Sequence, residues 1–177
     1  MKIGLVRHFK VKKDYPKKFV TSAEMIKWFE EYNEADIETG IVELNDIIWD
    51  ECYSSDLHRA EKTAQHIYSG EINRLSELRE ISIFPLTNRK VKLPFFIWAL
   101  LVRTAWLMDH KSQMETKAHV KMRINQFLDQ ILPVNKNILI VSHGALMIFM
   151  GEELKKRGFQ GPKIRNPKNG QLYLYEK

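Results

Sequence analysis

Three apolar runs in the chain give way abruptly to polar residues, and the first is Lys2-Ile-Gly-Leu-Val6, which stops at Arg7-His8. Its length and composition predict a strand. Cys52-Tyr-Ser-Ser55 reads as the end of a second strand. Ile138-Leu-Ile-Val141 is apolar at every position, the pattern of a central parallel strand, and passes into Ser142-His143-Gly144. Leu172-Tyr-Leu-Tyr175 follows the turn signals Asn166-Pro167 and Asn169-Gly170 and reads as a closing strand.

Helical periodicity fills the intervals. Thr21-Ser-Ala-Glu24 has the spacing of a capping box, with Met25, Phe29 and Tyr32 following at helical intervals. Asp56 to Tyr68 reads as a helix that Ser55 or Asp56 is placed to cap, which sets Arg59 in its first turn. Met114 to Leu132 carries Val120, Ile124, Phe127 and Ile131 on one face and stops at Pro133, and Ala145 to Lys155 reads as a further helix. From Asp36 to Glu51 two patterns compete: Ile41, Leu44 and Ile48 fit one helical face, while Ile47-Ile48-Trp49 fits the start of a strand. The segment Leu75 to Glu80 ends in a carboxylate, and Pro85 and Pro94 bracket a loop.

The longest apolar stretch, Leu93 to Met108, is interrupted by Arg103 and Thr104. It falls short of the roughly 20 residues that span a bilayer. Its hydrophobicity is not confined to one stripe, which leaves a buried helix, a self-association surface or the apolar wall of a pocket.

Composition narrows the class. A length of 177 residues fits one domain, and 44% hydrophobic with 28% charged residues is that of an ordinary globular protein, not a disordered one. The single cysteine, Cys52, permits no internal disulfide and reads as a small buried hydrophobe. With no signal-peptide pattern at the start, the expected compartment is the reducing cytoplasm. The formal charge is +6, and part of the excess gathers at Lys10, Lys12, Lys13, Lys17 and Lys18, directly after His8. Such a rim draws anions, but no aromatic interleaving or nucleic-acid motif accompanies it. Most of these lysines therefore read as a solvated face, with Lys10 the exception by its closeness to His8. No nucleic-acid or membrane partner is expected.

Three strands thus end in polar groups: Arg7-His8, Ser55 with Arg59 just beyond, and His143-Gly144. In open α/β sheets ligands bind outside the carboxyl ends of strands, so one crevice can collect the set. Phosphate suits it, since arginines offer forked donors to its oxygens and an imidazole can donate to it or attack phosphorus.

Leu5-Val-Arg-His8, Tyr53-Ser-Ser-Asp-Leu-His-Arg-Ala-Glu-Lys-Thr-Ala64, Leu78-Arg-Glu80 and Val141-Ser-His-Gly144 resemble, in order, the four signatures of the histidine phosphatase superfamily, the phosphoglycerate mutase-like fold. The twelve-residue block is the specific one. The resemblance implies a three-layer α/β/α sandwich with a mostly parallel sheet, as one domain over residues 1–177 with a small helical cap at 81–119. It implies that His8 is the nucleophile and forms a phosphohistidine, its other ring nitrogen oriented by a backbone carbonyl. Arg7, Arg59 and His143 bind the phosphoryl oxygens, with Phe9, Lys10 and Gly144 beside the substrate. Glu80 is the proton donor to the leaving alkoxide and then the base for water; its bland rival is a cap or surface pair. His58, His66, His110 and His119 match no signature and read as surface or packing residues.

The implied activity is metal-independent hydrolysis of phosphate monoesters without a cofactor, on a small phosphorylated metabolite. The sequence offers no His-Glu-x-x-His or clustered Asp/Cys ligand set. The 81–119 segment is short beside the insertion of the family's mutases, which makes mutase activity the lesser branch. Trp98 and Trp106 with their aliphatic neighbours suggest a substrate with an apolar portion; docking against other helices explains the same residues. Small phosphohistidine phosphatases acting on signalling proteins share the chemistry and length, and the apolar cap argues against them. One departure stands out: the family's usual glycine after the catalytic histidine is Phe9 here. Phenylalanine restricts φ/ψ and close backbone approach, so it either reshapes the pocket as an aromatic wall or packs beside Phe95 to Met108. It also keeps open a family member that binds a phosphorylated ligand or protein without turning it over.

Overall fold

Ile138–Ser142 is buried at every residue because the sheet is covered on both faces. The computed structural model describes residues 1–87 and 89–177. Its five-stranded sheet comprises β1 (Lys2–Arg7), β2 (Glu51–Ser55), β3 (Ile72–Leu75), β4 (Ile138–Ser142) and β5 (Leu172–Glu176). The order is β3-β2-β4-β1-β5, with the first four strands parallel and β5 antiparallel to β1. Five α-helices accompany it among the described residues: α1 (Ser22–Glu34), α2 (His58–Ile67), α3 (Phe95–Leu107), α4 (Lys117–Ile131) and α5 (Gly144–Lys156).

Strand alternation builds the layers. Ile3 and Leu5 of β1, with Ile138 and Ile140 of β4, point to one face and pack against α4 and α5. Val6, Cys52, Leu139 and Val141 point to the other, where Ala60 and Ala64 of α2 and the ring of Trp49 cover them. Burial of the Cys52 thiol pushes its pKa up to about 12, so it stays protonated and apolar in character. Helices α1 and α3 share a separate core made by Met25, Trp28, Phe95, Trp98 and Val102.

Local chemistry sets the helix ends, in two places differently from the sequence expectation. Thr21 caps α1 through the reciprocal capping box with Glu24. Helix α2 starts at His58, behind Leu57, which has no capping side chain. Ser55 Oγ instead accepts the Leu57 N–H at 3.2 Å, and Asp56 is drawn away into a two-bond pair with Arg79. Helix α4 starts at Lys117, later than the apolar period suggested, because Thr116 caps it. Between Asp36 and Glu51, Ile37–Glu38 pairs with Lys10–Val11 and the rest is irregular. Left-handed Asn45 and Asp46 break any helix there, and Ile41 and Ile48 are left exposed.

The long apolar stretch enters as Leu93–Pro94, paired with Phe19–Val20, and continues as α3. One face of α3 is buried through Phe95, Trp98, Val102 and Trp106, while Phe96, Leu100 and Leu107 are exposed on the other. Both indoles are committed to packing: Trp98 Nε1 donates to Val20 O and Trp106 Nε1 to Glu115 O, each at 2.7 Å. They are not the apolar wall of a substrate pocket. No helix among the described residues is long and apolar enough to cross a membrane.

In urea unfolding, Ile140→Ala, which truncates a side chain with no exposed surface, is expected to cost about 2–5 kcal/mol. Ile41→Ala, at a position 93% exposed, is expected to stay within about 0.5 kcal/mol. Equal losses at the two positions would contradict this assignment of the core.

Candidate active site

The register of β1 against β4 decides which side chains meet. Arg7 lies opposite Ser142, and the pairing extends one residue further through the His8 N–H donating to Ser142 O at 3.0 Å. The next residues, His8 and His143, therefore leave the sheet together, with ring centroids 5.1 Å apart. Neighbouring β2 brings Ser55 to the same edge, and the first turn of α2 brings Arg59. The sheet thus assembles the groups at the carboxyl ends of its parallel strands.

His8 is buried, and its Nδ1 lies 2.6 Å from Phe9 O. A carbonyl can only accept, so Nδ1 carries the hydrogen and Nε2 holds a lone pair. Arg59 Nε donates to that Nε2 at 3.2 Å. Burial, then the Arg59 charge, lowers the His8 pKa from 6.5 to about 3, so the ring is neutral at ordinary pH. His143 is fully buried, and burial followed by the Arg59 charge likewise holds its pKa well below the usual value. Its Nε2 lies 2.9 Å from Ser55 Oγ, and its Nδ1 meets no hydrogen-bond partner among the described residues.

Two guanidinium groups flank the rings. Arg7 donates through Nη1 to Pro167 O at 2.7 Å, while its buried Nε has no partner among the described residues. A Cβ on Gly144 would sit 3.4 Å from that Nε, an ordinary van der Waals distance, so the start of α5 lies against the Arg7 side chain. Arg59 is only 4% exposed. Besides His8, it donates through Nη1 to Asn33 Oδ1 at 2.6 Å and lies over the Tyr32 ring, 5.2 Å from its centroid. Neither arginine is in an ion pair among the described residues.

Glu80 has a different placement. Its Oε1 accepts from the Ile81 and Leu146 N–H groups at 3.0 and 3.2 Å, and its Oε2 from Ala145 at 3.2 Å. The carboxylate thus caps the first turn of α5, immediately after His143-Gly144. Ser142 Oγ, donating to Leu78 O at 2.8 Å, ties β4 to the segment that carries it.

Phe9 and Lys10 point elsewhere. The Phe9 ring is buried with Val11 and Ile37 and edge-on to His66, in a cluster separate from the α3 core. It is neither an aromatic wall of the site nor packed beside Phe95 to Met108. Lys10 is exposed and paired with Glu38 at 3.1 Å. Phe9 contributes only its backbone: its N–H donates to Thr63 Oγ1 at 2.9 Å, and its carbonyl orients His8.

Four supporting residues had no role in the sequence reading. Thr63 also donates to Arg59 O at 2.7 Å; its spacing of four residues from Arg59 puts both on one helical face, a usable signal. Asn169 Nδ2 donates to His8 O at 2.7 Å, where the sequence showed only a turn. Asn33 and Tyr32 come from α1 and carry no motif. Among the described residues His58, His66, His110 and His119 make no hydrogen bond or ring pair with His8: His66 packs on Phe9, His110 bonds Ser112, and His119 completes the cap of α4. Among the described residues no group of three or more His, Cys, Asp or Glu is placed to hold a metal ion.

A family model of the histidine phosphatase superfamily (branch 1) matches residues 34–176, a span that holds Arg59, Glu80 and His143 and begins after His8. Among solved structures, phosphoglycerate mutase from Bacillus anthracis is 18% identical with a TM-score of 0.59, covering 98% of this chain and 86% of its own. The α-ribazole phosphatase from Shigella flexneri is 18% identical with a TM-score of 0.54, covering 98% and 89%. A mutant phosphoserine phosphatase from Entamoeba histolytica, in complex with phosphoserine, is 19% identical with a TM-score of 0.53, covering 92% and 87%. At these identities the likeness is one of fold, the phosphoglycerate mutase-like fold. Among curated proteins, none matches the chain by sequence.

The two neutral histidines make stability pH-dependent with a definite sign. The folded pKa of His8, about 3, lies below the unfolded value of 6.5, so between these limits the unfolded chain binds more protons. Stability is complete above pH 6.5 and falls as the pH drops, by at most about 1.4 kcal/mol per unit for each such histidine. The carboxylates with resolved shifts are all lowered, so they titrate below this upper window. Urea midpoints measured from pH 6.5 to 5.5 are expected to fall, and to fall less steeply in His8→Asn and His143→Asn. An unchanged slope in both variants would place the titration elsewhere.

Proposed function

The chain belongs to the histidine phosphatase superfamily, and from that membership and the geometry around His8 we propose that it hydrolyses phosphate monoesters through a phosphohistidine. One observation carries this reading. A neutral imidazole with a lone pair on Nε2 sits among two guanidinium groups without carboxylate partners and two buried nitrogens, Arg7 Nε and His143 Nδ1, without acceptors. Such a set lacks an anion with several oxygens and a centre open to attack.

In the proposed first step, His8 Nε2 attacks phosphorus, the bond to the ester oxygen breaks, and that oxygen leaves with a proton from Glu80. In the second, Glu80 takes a proton from water, the water oxygen attacks the phosphohistidine, and the N–P bond breaks to return neutral His8 and orthophosphate. Arg7 and Arg59 stabilise the charge on the transferring oxygens, where loss of one well-placed donor typically costs about 2.7–4 kcal/mol. Ser55 Oγ, already accepting from Leu57, donates to His143 Nε2 and leaves the Nδ1–H to a phosphoryl oxygen. The reaction as written uses no metal ion. The named neighbours include phosphatases of α-ribazole phosphate-type and phosphoserine-type compounds, which favours a small phosphorylated metabolite.

Glu80 favours a second reading. Three backbone N–H groups hold its carboxylate at the α5 cap, so the side chain must leave that cap to reach a leaving-group oxygen. In that reading the protein holds a phosphorylated ligand without turnover.

Hydrolysis of p-nitrophenyl phosphate, followed as orthophosphate release with a chelator control, is expected in the wild type, to be abolished in His8→Ala, and to fall roughly 10²–10³-fold in Arg7→Ala. Rapid alkaline quench with labelled ester, which preserves the acid-labile N–P bond, is expected to trap label on His8. Orthophosphate binding without turnover or trapped label would replace hydrolysis by the ligand-holding reading; transfer to a second hydroxyl would indicate a mutase.

Leaving-group dependence tests Glu80 separately. Glu80→Gln is expected to slow an alkyl phosphate by about 10²–10⁴-fold. It should slow the nitrophenyl ester, whose leaving group needs no proton, much less. Equal losses on the two esters would make Glu80 a helix cap and nothing more.

A further inference from the structure

We infer that Asn33 is a positioning residue for Arg59, one whose neutrality is the point: it fixes the guanidinium beside His8 without neutralising the charge that the phosphoryl group must meet. The inference rests on the proposed phosphoryl chemistry for its purpose and on the hydrogen-bond geometry for its content.

Arg59 is nearly fully buried, and a buried cation ordinarily recruits a carboxylate. Other arginines of this chain, half-buried or exposed, do so: Arg79 pairs with Asp56, Arg123 with Glu115 and Arg157 with Asp129. Arg59 instead has an amide oxygen, Asn33 Oδ1, on Nη1 at 2.6 Å, the His8 Nε2 lone pair on Nε at 3.2 Å, and the Tyr32 ring beside it. Each contact uses an acceptor or a π face, and none brings a full negative charge. Two points of attachment on a planar, rigid fork fix its orientation, which leaves Nη2 for a phosphoryl oxygen.

The position of Asn33 sharpens this. It is the penultimate residue of α1, whose last turns carry Glu30, Glu31 and Glu34, so carboxylates surround it in sequence while an amide takes the position that reaches Arg59. It also lies just before residue 34, where the family match begins, so the contact comes from a part of the chain that the match does not cover.

Asn33→Asp separates positioning from mere packing. The substitution keeps the acceptor and size but adds the missing charge. A purely structural amide would be replaced without functional loss, since the buried guanidinium gains a counter-ion. On the inference made here, Asn33→Asp keeps or raises the melting temperature while its Kd for orthophosphate, by titration calorimetry, weakens by about ten-fold or more. Asn33→Ala, which frees the guanidinium but leaves its charge, weakens orthophosphate less than Asn33→Asp and lowers the melting temperature. Any of three results overturns it: orthophosphate affinity in Asn33→Asp equal to the wild type, a loss no larger than in Asn33→Ala, or a drop in the Asn33→Asp melting temperature. The readout is binding. A wild type that binds orthophosphate but hydrolyses no ester refutes the proposed hydrolysis and leaves this comparison intact.

Discussion

A buried guanidinium with no carboxylate is expensive to hold, and the architecture around His8 is arranged about that expense. Burial lowers the Arg59 pKa, with the nearby Tyr32 and Glu80 opposing the shift, yet a guanidinium remains protonated in proteins. Burial first, and then its charge, keep His8 and His143 neutral, so buried cations and unprotonated rings are one electrostatic arrangement. The stability that tolerates it comes from elsewhere. Apolar burial on both faces of the sheet fixes β1, β2 and β4, and the site hangs from their ends.

That arrangement divides the work between charge and direction. Arg7 and Arg59 carry charge, but neutral groups aim them: the Pro167 carbonyl and the Asn33 amide. The Phe9 carbonyl sets the His8 tautomer, and Asn169 and Thr63 hold the C=O and N–H of the His8–Phe9 peptide just before that carbonyl. With this many backbone and amide contacts the His8 ring is oriented before any ligand arrives, the condition under which positioning lowers a barrier.

The strand ends were legible in the sequence because apolar runs break sharply into polar residues, and Arg7, His8, Arg59 and His143 lie at or just beyond those breaks. Supporting residues were less so. Asn33 is a lone amide in an amphipathic helix, and only the packing of α1 against α2 gives it a partner. Thr63 lay inside the most specific block and was recoverable from its spacing to Arg59. The tryptophans left two readings open for a definable reason: the apolar residues of α3 are not confined to one stripe, so periodicity does not say which face turns inward, and the indole N–H bonds to Val20 and Glu115 decide it. The start of α2 was misplaced because Asp56, a good cap in isolation, pairs with an arginine distant in sequence.

Phe9 shows how a departure from a motif can be accommodated without moving the chemistry. Residue 9 serves the site through its N–H and its carbonyl, which every residue but proline supplies. Its backbone is not in the left-handed region, so no glycine is required there for conformation. The space demanded by the phenylalanine ring is found across the site loop at Gly170, which has φ +64° and where a Cβ would stand 3.0 Å from the ring. Gly170 N–H also donates to Arg7 O at 2.9 Å. The small residue missing after His8 is thus matched by one that touches both the Phe9 ring and the backbone of Arg7, and the identity of residue 9 is decoupled from the orientation of His8.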